Sequence, residues 1–317
     1  MNNGHMTALQ TKHAELDSKI LELEALAARK DGPSITDELT KLKTKSAKQL
    51  KQIYSDLDAW RITQVARHPE RPHFKHYIAS MFEDFMPLAG DRAFGDDQAI
   101  IGGLARLHDR RVMVIGHEKG DDTQSRIRHN FGMGKPEGYR KAIRLMELAD
   151  RFAIPVVSLV DTSGAFPGIQ AEERGQAEAI ARSTEACLAL GVPMIACIVG
   201  EGGSGGAVAL AAADRILMFQ YAVYSVISPE GCASILWRTG DKAADAAQAM
   251  KMTADDLKSL RIIDRIVKEP MGGAHRDHVL AAASLGKAID EELEALSAFS
   301  SKELLQQRRA KFLAMGA

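Results

Sequence analysis

Ser204 stands among glycines in Gly202-Gly203-Ser204-Gly205-Gly206, the densest concentration of chemically useful residues in this chain. Its G-x-S-x-G spacing is that of a nucleophile elbow, in which a serine on a sharp strand-to-helix turn attacks a carbonyl. Asp214, Asp241 and Asp264 follow, with His275 and His278 further on, so the order serine, acid, histidine is available. A serine hydrolase using Ser204 is therefore one reading. Two glycines at the variable positions weigh against it, because they predict a turn too loose to present the hydroxyl rigidly. A second reading needs no side-chain nucleophile. Amides in the first turn of a helix lack partners and lie at the positive end of its dipole. Gly205 and Gly206 could thus form an oxyanion hole, with Gly164 to Phe166 as the other wall. A third reading keeps the glycines for tight packing alone. A phosphate loop fits less well, since Ala207-Val208 stand where it requires lysine and a hydroxyl residue.

Other candidates are more diffuse. Arg126, Arg128, His129, Lys135, Arg140, Lys141 and Arg144 could hold phosphate or carboxylate groups. They could equally be the wet face of a helix over 136–151, although several precede it in a loop with Gly132 and Gly134. His68, His73 and His76 are irregularly spaced around Pro69 and Pro72, and read as exposed loop residues rather than metal ligands. Cys187, Cys197 and Cys232 are far apart and outside any C-x-x-C pair. They are expected to be buried small hydrophobes in a reducing cytoplasm, with no zinc site.

Composition narrows the classes. With 41 basic and 42 acidic residues among 317, no net field draws the protein to nucleic acid or a membrane. No apolar run approaches the roughly 20 residues needed to span a bilayer, and no apolar signal core stands near the amino terminus.

The elements that must position these residues follow from periodicity. Leu9, Leu16, Ile20 and Leu23 share one helical stripe. Asp31-Gly32-Pro33 interrupts it, and Ser34-Ile35-Thr36-Asp37 resembles a capping box for a second stripe through Leu39, Leu42, Leu50, Ile53, Leu57 and Trp60. Together they predict an antiparallel helical hairpin whose lysines at 41, 43, 45, 48 and 51 face water. Residues 99–107 and 111–116 read as strands joined by His108-Asp109-Arg110, with Gly102-Gly103 marking a bulge or close backbone approach. Strands over 155–160 and 193–199 alternate with helices over 136–151 and 171–190, and the glycine stretch is then a turn leading into a helix. Shorter strands follow over 215–218, 222–227 and 263–267, then helices. This alternation argues for α/β layering with a largely parallel sheet, and for a site where glycine-bearing loops leave successive strands.

Several strings resemble the α subunit of the carboxyltransferase of bacterial acetyl-CoA carboxylase. They are Ala66-Arg67-His68-Pro69, Leu88-Ala89-Gly90-Asp91-Arg92, Asn130-Phe131-Gly132-Met133, Pro136-Glu137-Gly138-Tyr139-Arg140-Lys141, Gly200 to Ala207, Tyr224 to Trp237, and Gly272-Gly273-Ala274-His275-Arg276. The resemblance implies a crotonase/ClpP-like ββα spiral fold with an N-terminal helical hairpin (1–65), a carboxyltransferase domain (66–292) and a C-terminal helical extension (293–317). It implies a cytoplasmic enzyme that moves a carboxyl group from carboxybiotin, on the biotin carboxyl carrier protein, to acetyl-CoA, giving malonyl-CoA. It also implies an α2β2 assembly, biotin carboxylase in the wider complex, no covalently bound cofactor, and zinc on the β subunit only. Gly205 and Gly206 are then the backbone oxyanion hole, and Gly164, Ala165, Phe166, Gly203, Ser204, Arg126 and Arg128 contact substrate. Ser163 departs from the family, which often has proline there, and predicts a less rigid loop.

Overall fold

The computed structural model describes residues 15–16, 18–27 and 36–316. The chain divides into two compact units, Met1–Asp58 and Ala59–Ala317. In the first, residues 18–27 and Thr36–Tyr54 are helical, and Lys43 pairs with Glu24 at 2.7 Å between them. Ile20, Leu50 and Ile53 of the two stripes are buried, while the five lysines face solvent. Leu9, Ser34 and Ile35 lie outside the described residues. Leu57 falls beyond the second helix, and Trp60 belongs to the next, Ala59–Ala66.

The second unit starts ahead of residue 66 and includes the C-terminal helices His278–Ser297 and Ser301–Leu313. Its strands are β1 (Glu83–Pro87), β2 (Ile100–Leu107), β3 (Arg110–His117), β4 (Val156–Thr162), β5 (Met194–Gly203), β6 (Arg215–Phe219), β7 (Val223–Ser225) and β8 (Arg265–Val267). They form one sheet in the order β1-β2-β3-β4-β5-β6-β8, with β7 pairing the far end of β5. β1, β2 and β3 are antiparallel, and every later pairing is parallel. β4 and β5 are buried at every residue, as continuous apolar runs covered on both faces should be.

The expected hairpin forms, with Leu107 opposite Arg110 and His108 at φ +51 in the turn. Gly103 marks a close approach: a Cβ there would lie 2.1 Å from the Met86 carbonyl oxygen of β1. The helix Pro136–Arg151 also forms as expected, with proline in its first turn. Its apolar residues Tyr139, Ala142, Leu145, Met146 and Ala149 recur at helical spacing and are fully buried. The helix expected over 171–190 is instead two, Ile169–Glu173 and Gln176–Ala189. Gly175, at φ +79, turns the chain between them.

Three of the basic residues along Pro136–Arg151 are latches. Lys141 is buried against Asp96 and the Asp97 carbonyl. Arg144 donates to the carbonyls of Leu88, Ala89 and Gly90, and Arg140 to that of Arg174. These cations hold loops onto the helix instead of forming a free patch.

The C-terminal helix is laced into the sheet by Arg308, whose side chain has no exposure. It donates to both Asp214 oxygens at 2.9 and 2.7 Å and to the carbonyls of Cys187, Leu190 and Val192. Asp214 in turn accepts the Met194 amide that opens β5. Removing one partner of such a buried pair strands the other charge, which costs about 3–5 kcal/mol. Arg308→Met is therefore expected to lower stability by about that much in urea unfolding, and Arg308→Met with Asp214→Leu to recover part of the loss.

Candidate active site at the ends of the central strands

The glycine stretch is strand before it is turn. β5 was expected to end near Val199 but runs to Gly203, and the helix Ser204–Ala211 starts immediately. Val160 of β4 pairs with Ile198, whereas Thr162 pairs with Gly202, so Asp161 alone faces Val199, Gly200 and Glu201. Side chains secure this bulge. The Asp161 carboxylate accepts the Glu201 amide at 2.9 Å, and Arg71 donates to the Val199 carbonyl at 2.8 Å. A Cβ on Gly200 would meet the Asp161 carboxylate at 2.4 Å. Past the bulge, Glu201, Gly202 and Gly203 pair with β7. Strand pairing on both sides makes the segment rigid, contrary to the loose turn expected.

Two backbone segments meet here. A Cβ on Gly203 would lie 2.2 Å from the Ser163 carbonyl oxygen, and one on Gly206 would lie 2.7 Å from the Gly164 carbonyl carbon. Only glycine at both positions lets the loop after β4 rest on the start of the helix. Gly205 differs, because a Cβ there would only touch the Ile180 side chain at 3.4 Å. Gly206 is buried while Ser204 and Gly205 are half-buried, and no side chain caps the helix. Its first amides thus stay open to a ligand. Gly164 is at φ +152, where residues with side chains rarely go, and faces open space. Thr162 Oγ1 bonds both the amide and the carbonyl of Gly164. Phe166 is fixed at its amide by the Gly134 carbonyl and at its carbonyl by Gln176. These hydrogen bonds tie down the loop that carries Ser163.

Ser204 lies at φ +50, a backbone cost of about 1–2 kcal/mol for an L-residue. Among the described residues, none of the acids and histidines expected to complete a triad is its partner. His275 stacks on His68 with ring centroids 3.8 Å apart, and His278 Nε2 lies 2.8 Å from the Glu70 carbonyl. Asp214 serves Arg308 and Asp264 pairs with Lys311, while Asp241 lies in an exposed turn. The hydrolase reading falls with these contacts.

Beside the glycine segment, a cleft of about 240 Å³ is lined by Arg67, His73, Lys119, Arg126, Phe131 and Asp161 among others, with Ser163 and Glu201 on its border. Of these, only Arg126 is a ligand contact expected from the sequence. His73 is buried rather than exposed in a loop. Arg67 bridges Glu201 and Glu230, each at 2.6 Å, and Lys119 pairs with Asp161 at 2.6 Å. Burial alone would raise the Asp161 carboxyl, but Lys119 and His73 override it and hold it well below the usual range. Arg128 is exposed and lines a different cleft with Lys75 and His129, so the structure separates it from Arg126. The signal for the missed residues was present in Ala66-Arg67-His68-Pro69, but their meeting with Asp161 and Glu201 depends on long-range topology. Cys187 and Cys197 are fully buried and Cys232 half-buried. Among the described residues, no group of three or more His, Cys, Asp or Glu side chains is placed to hold a metal.

The chain shares its fold with solved structures of carboxyltransferase type. Solved structures sharing the fold include transcarboxylase 12S (TM-score 0.59, 20% identity, covering 72% of this chain and 42% of that one). Another is a Pseudomonas malonate decarboxylase hetero-tetramer in complex with coenzyme A (TM-score 0.55, 18% identity, 68% and 86%). The family model described as acetyl co-enzyme A carboxylase carboxyltransferase-like matches residues 6–316. Acetyl-coenzyme A carboxylase carboxyl transferase subunit alpha of Rhizorhabdus wittichii is 71% identical over 305 residues, and that of Sphingopyxis alaskensis 69%, each aligned over 96% of both chains. The chain belongs to the acetyl-CoA carboxylase carboxyltransferase family.

Two expectations follow from the packing. Gly203→Ala and Gly206→Ala force backbone against backbone and should cost about 1–3 kcal/mol each, whereas Gly205→Ala should leave thermal stability unchanged or slightly higher. Burial pushes His117, at the end of β3, down to about 4. The unfolded chain then binds a proton near pH 6.5 that the fold refuses, so His117 costs stability as pH falls from about 6.5 to 4, by about 3 kcal/mol in all. Asp161, with its lowered carboxyl, adds to the loss only below about pH 4. His117→Asn should flatten the melting-temperature profile in the upper window alone.

Proposed function

We propose that the chain transfers a carboxyl group from carboxybiotin to acetyl-CoA, as the α half of a site completed by a β subunit. The observation that supports this most is the contact of the Ser163–Ala165 backbone with Gly203 and Gly206. It builds a wall of main-chain amides and leaves Ser204 without a base, which suits a reaction that needs charge held on an oxygen and no protein nucleophile.

When the N–CO2 bond of the donor breaks, its electron pair returns to the ureido nitrogen and oxygen. The Gly205 and Gly206 amides stabilise the charge on that oxygen. The freed nitrogen takes a methyl proton from acetyl-CoA, and the resulting carbanion captures the carboxyl carbon to give malonyl-CoA. No general base from this chain is required. The relatives' names assign them to acetyl-CoA carboxylase as subunits alpha, which supports a β partner and an α2β2 assembly. The donor arrives on a biotin carboxyl carrier protein loaded by biotin carboxylase, and zinc resides on β alone. Large apolar residues for a partner to cover are Val226, Ile235, Leu236 and Trp237, each exposed on or before the helix Pro229–Trp237. The same helix brings Glu230 to Arg67 in the cleft. No helix among the described residues is long and apolar enough to cross a membrane; a cytoplasmic location belongs to the same proposal and rests on the carboxyl-transfer reading.

The test is carboxyl transfer in reverse, from malonyl-CoA to biocytin, with this chain alone, a purified β subunit alone, and both. Turnover is expected only in the mixture, and an assembled but inactive mixture overturns the reading. Ser204→Ala should retain activity within about threefold, while Gly205→Val should lower kcat by about 10²–10³. A hydrolase would lose everything with Ser204→Ala.

A further inference from the structure

Arg128 and His129, two of the residues expected to hold phosphate or carboxylate groups, are not latches. Arg128 ends the helix Thr123–Arg128 and His129 caps it. With Lys75, of the helix Phe74–Met81, they line a cleft of about 260 Å³ that shares no lining residue with the one beside the glycine segment. Pro87, Leu88 and Ile101 give this second cleft an apolar wall.

A buried imidazole fixes its cations. His129 is 3% exposed. Its Nδ1 lies 2.6 Å from the Gln98 carbonyl oxygen, which can only accept, so the ring proton is on Nδ1. Nε2 lies 3.1 Å from Lys75 Nζ and must then accept from the ammonium. A neutral acceptor sets where the Lys75 charge sits without cancelling it.

The neighbouring acids do not cancel it either. Glu118 spends its two oxygens on the amides of Lys75 and Gly120. Asp122 caps its own helix through the Ser125 amide, and Asp96 pairs with Lys141. Among the described residues, Lys75 and Arg128 are thus left with no carboxylate as an ion-pair partner. The carbonyls around the cleft are engaged as well. Those of Leu88 and Ala89 accept from Arg144, that of Asp97 from Lys141, and that of Gly102 from the Leu88 amide. A ligand entering here meets free donors, while the acceptors beside them are already in use.

We propose that this cleft is a phosphate site, in which Lys75 and Arg128 hold a phosphate group and the wall of Pro87, Leu88 and Ile101 covers the apolar part of an ester. The inference does not depend on the carboxyl-transfer reading. Charge balance selects phosphate over carboxylate. Lys141 and Asp96 neutralise each other, which leaves the two charges of Lys75 and Arg128. A carboxylate would match one of them, whereas a phosphate near neutral pH carries close to two negative charges and three or more acceptor oxygens. The guanidinium of Arg128 suits paired phosphate oxygens, and the Lys75 ammonium supplies a point charge. The group could be free phosphate or the phosphate of an ester such as coenzyme A, and the chemistry is the same for both.

The test is calorimetric titration of the full-length chain with inorganic phosphate at constant ionic strength. Saturable binding is expected, with Arg128→Gln and Lys75→Met each weakening it at least about tenfold and Arg128→Lys recovering part of the loss. Both side chains are exposed, so unchanged melting temperatures without phosphate should accompany these losses. Arg126→Gln, in the other cleft, should leave phosphate affinity unchanged. Displacement of the bound phosphate by coenzyme A, and not by its 3′-dephospho form, assigns the site to an ester of that kind. Displacement by neither assigns it to free phosphate, and both results uphold the site. Absence of saturable binding up to tens of millimolar phosphate overturns the inference. Binding that survives both Arg128→Gln and Lys75→Met, or that Arg126→Gln abolishes instead, also overturns it, by placing the ion elsewhere.

Discussion

The site depends on one irregularity, the bulge that sets Val199, Gly200 and Glu201 of β5 against Asp161 of β4. Without it, β5 would continue in step with β4, and its residues beyond Ile198 would point to different faces. With it, the strand is re-aimed to pair with β7 and to deliver Gly203 beneath the Ser163 carbonyl. The bulge is itself a balance of charges. Asp161 holds the Glu201 amide, Arg71 the Val199 carbonyl, and each ion is compensated by another, Lys119 or Glu269. A buried carboxylate at a strand end is costly unless paired and hydrogen-bonded, and here it is both.

A candidate site built from backbone follows from this geometry. Amides at a helix start that a paired strand positions would need no rotamer to be chosen and no pKa to be tuned, so they could hold charge without reorganising. The cost falls on side-chain identity nearby: Gly200, Gly203 and Gly206 each face atoms that a Cβ would strike. Gly205 is free of that constraint, which sets its role apart from packing.

Much of the architecture was legible in periodicity. The hairpin of β2 and β3, the helix Pro136–Arg151 and the buried strands β4 and β5 carry patterns that local sequence decides. β1 was not legible: Glu83 to Pro87 alternates weakly, and Pro87 itself is a poor strand residue. The single helix expected over 171–190 breaks at Gly175, whose left-handed backbone turns the chain just after Arg174 pairs with the buried Glu137. In the site, the glycines announced close approach, but not that β5 runs through them, because the bonds that extend it come from residues 40 or more positions away. For the same reason His73 read as a loop residue although it is buried, and Arg140, Lys141 and Arg144 read equally as a ligand patch or a wet helix face although they are latches. Charge type is visible in a sequence, whereas its compensation is a property of topology.

Arg308 also imposes an order in time. Asp214, whose carboxylate opens β5 through the Met194 amide, is 94 positions ahead of the guanidinium that neutralises it. On the ribosome, the middle of the sheet is therefore synthesised long before its buried charge can be balanced. Until the helix Ser301–Leu313 emerges and docks, the strands that carry the glycine segment have an unpaired carboxylate in their core. The ion pair at the base of β5 is thus completed only once the helix Ser301–Leu313 has been made.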